Sequence, residues 1–272
     1  MLSLFALLPL AVQSFAQDSP VGTSSIAEGN AIFETPDAMA AQYTEALTMM
    51  YAWGAVREDF LKHPEEPASR YDEVYTTAQF FHHFFPKSYV YLLEKKPYSR
   101  GGYGAPPDIP PDHWSAESGE LLAACGFFAG YPDGVFKGES SILRYEAAMV
   151  ASKVHFIISQ SLTASGSVPL DYGFDAYTRY LESMKMGATS SYALFIDIPE
   201  DHWAYEAVWS LSESGVLIDE FGDSGFRGYE NISRATLALW LYKLAGAFDL
   251  EDFVETEPVL TPTYNGGSGC GG

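Results

Sequence analysis

Helix-spaced apolar positions and turn-forming residues follow one another twice along this chain in the same order. In the later stretch Trp203, Ala207 and Leu211 fall at i, i+4 and i+8 on one helical face. Gly215 then stands where a left-handed C-terminal cap would stop that helix. A second stripe, Leu237, Trp240, Leu241 and Leu244 at i, i+3, i+4 and i+7, predicts a second helix. Asp112 and Asp201 occupy N-cap positions for first helices starting near the His-Trp pairs that follow them. Tyr131-Pro-Asp-Gly134 is a strong turn signal between the helices of the earlier stretch.

The two stretches are copies. Asp108-Ile-Pro-Pro-Asp-His-Trp114 and Asp197-Ile-Pro-Glu-Asp-His-Trp203 differ at one position in seven. Twelve residues after each Trp comes a glycine, Gly126 or Gly215. Phe136-Lys-Gly138 and Phe226-Arg-Gly228 follow, and eight residues after each Phe stands an arginine, Arg144 or Arg234. Trp and Arg are 30 residues apart in one copy and 31 in the other, a difference of one loop residue.

These residues resemble the S-layer homology (SLH) family. The resemblance is carried by Asp197-Ile-Pro199, His202-Trp-Ala-Tyr205, Gly130-Tyr-Pro-Asp-Gly-Val-Phe136, and the second-helix openings Ile142-Leu-Arg-Tyr-Glu146 and Ile232-Ser-Arg-Ala-Thr236. It implies an all-α fold of helix-loop-helix repeats in a pseudo-threefold arrangement, and so directs attention to a third copy. A fainter one is expected over residues 32–85, where Ala46-Leu47 and Gly54 fit a first helix and its stop. Ser69-Arg70-Tyr-Asp-Glu73 resembles the opening of a second helix, although the His-Trp pair is absent; the alternative is an unrelated helical hairpin. The remaining expected boundaries are a signal peptide at 1–16, a connector at 86–106, a repeat at 107–157, a connector with a short helix around Asp175–Met184 at 158–194, a repeat at 195–248 and a flexible tail at 249–272.

Composition narrows the function. A 272-residue chain with 47% apolar content can bury one sizeable core or two small ones. Fifteen Lys and Arg against 36 Asp and Glu leave a net charge of −21, which argues against binding nucleic acid or anionic lipid. The uncharged apolar opening, ending in Ser14-Phe15-Ala16, fits a signal peptide cleaved before Gln17. It is shorter than the about 20 apolar residues a membrane span needs, and no later segment qualifies. Cys125, in an apolar helical run, and Cys270, in a Gly-rich tail, make no disulfide framework.

An arginine in a helix's first turn adds a planar fork of donors to the free N-H groups there, so Arg144 and Arg234 mark carboxylate or phosphate sites, with Arg70 as their counterpart in the faint copy. Lys137 and Arg227 add charge in the loops. Trp114 and Trp203 offer faces to a sugar ring, or pack the core at a repeat junction. Asp108 and Asp197 either fix the turn into each repeat or touch sugar. The capping box that would orient the second helix is incomplete in both clear copies: Leu143 replaces the hydroxyl in one, Thr236 the carboxylate in the other.

The resemblance implies a non-catalytic, exported bacterial envelope protein, in the cell wall, S-layer or cell surface, anchored by an anionic, pyruvylated cell-wall polysaccharide. Other envelope proteins are the alternative partners, with aromatic segments such as Phe80-Phe-His-His-Phe-Phe85 available for packing. A wall-glycan-processing enzyme is the weaker alternative, since nothing in the spacing of 36 acidic residues selects a catalytic pair. His63, His82, His83, His113, His155 and His202 show no zinc spacing, so no metal, cofactor or catalytic residue is expected.

Overall fold

Ser69 opens a helix with a complete capping box, its hydroxyl accepting from Asp72 N (3.1 Å) while the Asp72 carboxylate accepts from Ser69 N (3.0 Å). A computed structural model describes residues 36–95, 108–125, 127–128, 134–163, 174–187, 195, 197–217, 225–253 and 255, all within the unit Phe33–Gly272. The expected signal peptide, Gly126, most of the 131–134 turn and Cys270 lie outside them. The described residues are all-α: α1 (Pro36–Ala52), α2 (Glu58–Lys62), α3 (Arg70–Phe84), α4 (Pro86–Lys95), α5 (Ala116–Ala124), α6 (Arg144–Thr163), α7 (Phe174–Gly187), α8 (Tyr205–Glu213) and α9 (Arg234–Ala247).

Helices α1 and α8 stop in the same way. Gly54 and Gly215 adopt φ of 72° and 78°. The next amide reaches back to the third-last helical carbonyl, Ala55 N to Met50 O (2.8 Å) and Val216 N to Leu211 O (3.0 Å), which is a Schellman motif. Phe127 N to Leu122 O (3.0 Å) makes the equivalent bond after α5. The starts of α5 and α8 differ from expectation. Asp112 and Asp201 do not cap them; each helix begins after a tight turn, His113 N to Pro110 O and His202 N to Pro199 O, both 2.9 Å. The imidazole Nδ1 atoms take the first amides instead, from Ser115 N and Ala204 N, each at 3.3 Å. A histidine two residues before an amide reaches it without the extended backbone that an Asp cap requires.

Helices α3, α6 and α9 are joined at their starts by a closed ring of backbone bonds. Ala68 N donates to Ile232 O (2.9 Å), Ile232 N to Ile142 O (3.1 Å) and Ile142 N to Ala68 O (3.0 Å). All three residues are completely buried, so the ring satisfies amides that have no water to bond. Beyond the ring α3 packs on α5, α6 on α8 and α9 on α1. The two broken capping boxes supply half a box each. Leu143 N donates to the Glu146 carboxylate (2.9 Å), and Ser233 Oγ accepts from Thr236 N (3.1 Å).

The described parts of the expected connectors are helical. Residues 86–95 form α4, with Ser88 and Tyr89 buried. The expected short helix near Asp175–Met184 is α7, pinned to α6 by Tyr177 OH on Ser152 Oγ (2.9 Å) and by Tyr180 OH with His155 Nδ1 (2.6 Å). Burial pushes His155 down to about 4, so this histidine is neutral at pH 7. Of the tail expected from Asp249, residues 249–253 and 255 pack against the helices. Leu250 is buried, Phe253 meets Phe85 at 5.2 Å, and the buried Glu255 carboxylate accepts Lys87 N (2.6 Å) and Ser88 N (2.8 Å) at the start of α4. Phe80, Phe81, Phe84 and Phe85 point into the core while His82 and His83 face outward, as expected of an aromatic helix packed by burial. No helix of the described residues is long and apolar enough to cross a membrane.

Candidate ligand-binding junctions

The expected site residues gather where one helix pair meets the next. Asp108 and Asp197 fix their own loops: Asp108 takes Phe136 N (2.6 Å) and Lys137 N (2.7 Å), and Asp197 takes Phe226 N and Arg227 N, both at 2.7 Å. These clamps hold Lys137 and Arg227 at φ of 56° and 53°, a left-handed conformation that a non-glycine residue adopts only when its surroundings enforce it. Replacing Asp197 with Asn should leave the fold intact but remove one of the two amide acceptors, lowering stability by about 1.5 kcal/mol. Thermal melts read this directly, and an unchanged midpoint would mean that the clamp contributes nothing.

The three helix-opening arginines are not the open anion sites their position suggests. The amides of Arg70, Arg144 and Arg234 donate to Ser140 O (3.0 Å), Glu230 O (2.9 Å) and Glu66 O (3.0 Å), so the first-turn donors are taken by backbone carbonyls of the adjoining segment. Arg70 and Arg144 are 6% and 7% exposed. Their guanidinium groups lie over the rings of Phe136 (4.8 Å) and Phe226 (5.5 Å) and donate Nε to the same residues' carbonyls, at 2.9 and 3.2 Å. Arg234 departs from this pattern. It lies 5.6 Å over Phe60 and meets three carboxylates, Glu66 (2.8 Å), Asp72 (3.3 Å) and Asp59 (3.7 Å).

The tryptophans are on the surface, not in the core: Trp114 is 39% and Trp203 57% exposed. What packs at the junction is a tyrosine that sequence reasoning passed over. Tyr71 lies 4.1 Å from the His113 ring and 6.0 Å from Trp114, and Tyr145 lies 4.2 Å from His202 and 5.8 Å from Trp203. Each tyrosine ring rests on a glycine backbone, Gly138 or Gly228, where a Cβ would come within 2.0 and 2.1 Å of the ring. The available signal was that Tyr follows Arg at 71 and 145, whereas Ala235 follows Arg234.

Two junctions therefore share one layout, an exposed indole beside a half-buried imidazole and a tyrosine, with a basic residue, Lys137 or Arg227, exposed on the loop below. The Tyr71 and Tyr145 hydroxyls titrate above their usual range, chiefly through burial and then through the charges of Asp108 and Asp197, so both remain neutral donors at pH 7. Among the described residues no cluster of His, Cys, Asp and Glu could hold a metal ion.

No family model matches the chain. Sequence similarity is found to outer membrane protein alpha of Thermotoga maritima, 48% identical over 61 residues, which is 22% of this chain and 15% of that protein. Outer membrane protein SlpA of Thermus thermophilus is 39% identical over 62 residues, 23% of this chain and 7% of that protein. Its namesake in Deinococcus radiodurans is 38% identical over 47 residues, 17% of this chain and 4% of that protein. The chain thus matches only a short part of each of these bacterial proteins.

Proposed function

We propose that this chain is a non-catalytic bacterial envelope protein of SLH type, in which three helix pairs, the first over residues 32–85, close into one ring and hold an anionic cell-wall polysaccharide at their junctions. The observation that carries the reading is the pair of exposed indoles, Trp114 and Trp203, each set beside a histidine, a tyrosine and a loop cation. A soluble protein gains nothing in stability by leaving an indole half exposed at the same place twice, whereas a flat apolar face beside a cation suits a sugar ring bearing a carboxylate. The similarity to envelope proteins named outer membrane protein alpha and SlpA supports the location.

Within this reading the nine expected residues divide by task. Trp114, Trp203, Lys137 and Arg227 face the ligand. Arg70, Arg144, Arg234, Asp108 and Asp197 hold the loops that present them. Cosedimentation of the protein with isolated wall sacculi, before and after chemical removal of the attached polymer, tests the proposal. Retention on untreated sacculi alone is expected; absence of retention on both would overturn it, and equal retention on both would point to protein or peptidoglycan as the partner.

A further inference from the structure

Two junctions share a layout, but their surroundings differ in charge and cover. At the junction of Tyr145 with His202 and Trp203, the loop position after Gly228 is Tyr229, which is 72% exposed. Its ring meets Tyr145 edge-on at 5.1 Å, and its hydroxyl lies 3.3 Å from His202 Nε2. Trp203 and Tyr229 thus stand on the same aromatic cluster as two exposed apolar faces, with Arg227 beside them on the loop. The Arg227 guanidinium meets Glu230 at 3.5 Å, but both side chains are about half in water, where such a pair contributes little and yields readily to another anion.

At the junction of Tyr71 with His113 and Trp114, the corresponding loop position is Glu139, an exposed carboxylate where the other junction has the Tyr229 ring. One face of its indole is covered, although Trp114 stays 39% exposed. The Arg57 guanidinium lies 4.0 Å over the Trp114 ring, with its Nε 3.5 Å from Asp59. A cation on that face takes part of the surface a sugar would use, and Glu139 repels an anionic substituent. The third junction has no exposed indole, carries Ala235 in place of the tyrosine, and surrounds Arg234 with Asp59, Glu66 and Asp72. There the chain's own carboxylates hold the positions an acidic ligand would take.

We infer that the junction built from Tyr145, His202, Trp203, Arg227 and Tyr229 is the principal ligand site, that the Trp114 junction is partly covered by Arg57, and that the Arg234 junction is closed. The ligand fitted is a sugar ring stacked on Trp203 and Tyr229 with its acidic group toward Arg227, so the inference deepens the proposed function and rests on it.

The test measures retention of the full chain on untreated sacculi carrying their attached polymer. Trp203→Ala and Tyr229→Ala should each weaken binding about tenfold, and Trp114→Ala by less than about threefold. Arg57→Ala, which uncovers the Trp114 face, should strengthen binding. All four side chains are at least partly exposed, and thermal melts and circular dichroism check that the variants fold. If wild type is retained but Trp114→Ala loses as much as Trp203→Ala, or Trp203→Ala loses nothing, the ranking of junctions is wrong while the proposed function stands. If wild type is not retained, both are wrong.

Discussion

Replacing Gly228 with alanine is expected to destabilise the protein by about 3 kcal/mol, and Gly138→Ala by a similar amount. A Cβ on Gly228 would come 2.1 to 2.2 Å from three atoms of the Tyr145 ring, and one on Gly138 would come 2.0 to 2.4 Å from the Tyr71 ring. Neither side can yield easily. Tyr145 N is bonded to Gly228 O (3.1 Å) and Tyr71 N to Gly138 O (2.9 Å), so ring and glycine are tied by the same backbone contact that positions the helix start. The Tyr145 ring is buried and held between His202, Phe226 and Trp203. A double-mutant cycle isolates the effect: Tyr145→Ala alone removes packing, but Gly228→Ala added to it should cost far less than in the wild-type background. Chemical denaturation of the four proteins gives the coupling. Additive losses would show that the glycine is required for its backbone and not for the ring above it.

The second large effect is a fall in stability as pH rises from 4.5 to about 8, caused by Glu73. This residue lies four places after Ser69 in α3, where the corresponding positions of α6 and α9 carry the buried apolar Ala147 and Leu237. It is completely buried, and neither carboxylate oxygen has a hydrogen-bond partner. Thr76 and Thr77, one turn on, have unpartnered hydroxyls as well. Burial pushes the carboxyl up to about 8 from the usual 4.5; the charges of Arg70 and Lys153 pull it down and that of Glu146 pushes it further up.

Below pH 4.5 the group is protonated in both folded and unfolded chains and contributes no pH dependence. Between 4.5 and about 8 the folded protein keeps a proton that the unfolded chain releases, so stability declines as pH rises, then levels off. Each pH unit across that interval removes about 1.4 kcal/mol, so the whole decline is on the order of 5 kcal/mol. Glu73→Gln removes the charge and should flatten that part of the curve, leaving the variant more stable than wild type at pH 9. Urea melts of both proteins from pH 5 to 9 measure it. Parallel profiles would show that the carboxylate finds solvent or a cation in the folded state.

How far the sequence could be read depended on whether a residue's partner lies nearby along the chain. The Schellman stop at Gly215 and the helical stripes of α8 and α9 follow from neighbours within a few positions, and they were legible. Arg70 as the counterpart of Arg144 rested on the resemblance of Ser69-Arg70-Tyr-Asp-Glu73 to a second-helix opening, and both arginines donate Nε to a loop phenylalanine carbonyl. The starts of α5 and α8 were misjudged by a few residues. An Asp before His-Trp and the imidazole itself compete for the same amides, and turn geometry decides between them.

The surroundings of the arginines and tryptophans were not legible, for a different reason. From the sequence, an arginine at the first turn of a helix has donors around it and no acceptors, and an indole is ordinarily core. In the folded chain a carbonyl far away in sequence occupies the helix start in each case, as Ser140 O does for Arg70 N and Glu66 O for Arg234 N. Tyr71 and Tyr145, not the indoles, are the buried rings there, and each meets its indole edge-on.

The sequence by itself determined an all-α class, the helical stripes of α8 and α9, the stop at Gly215, and a net charge of −21. Those depend on local periodicity, backbone preference and net charge, which do not require knowing what is adjacent in space. Only the tertiary structure decided that the ring closes through Ala68, Ile142 and Ile232, that Glu255 is buried on α4, and that the junctions are unequal. Each of these rests on groups distant in the chain competing for the same donor, acceptor or ring face, and such competition is settled by distance in space alone.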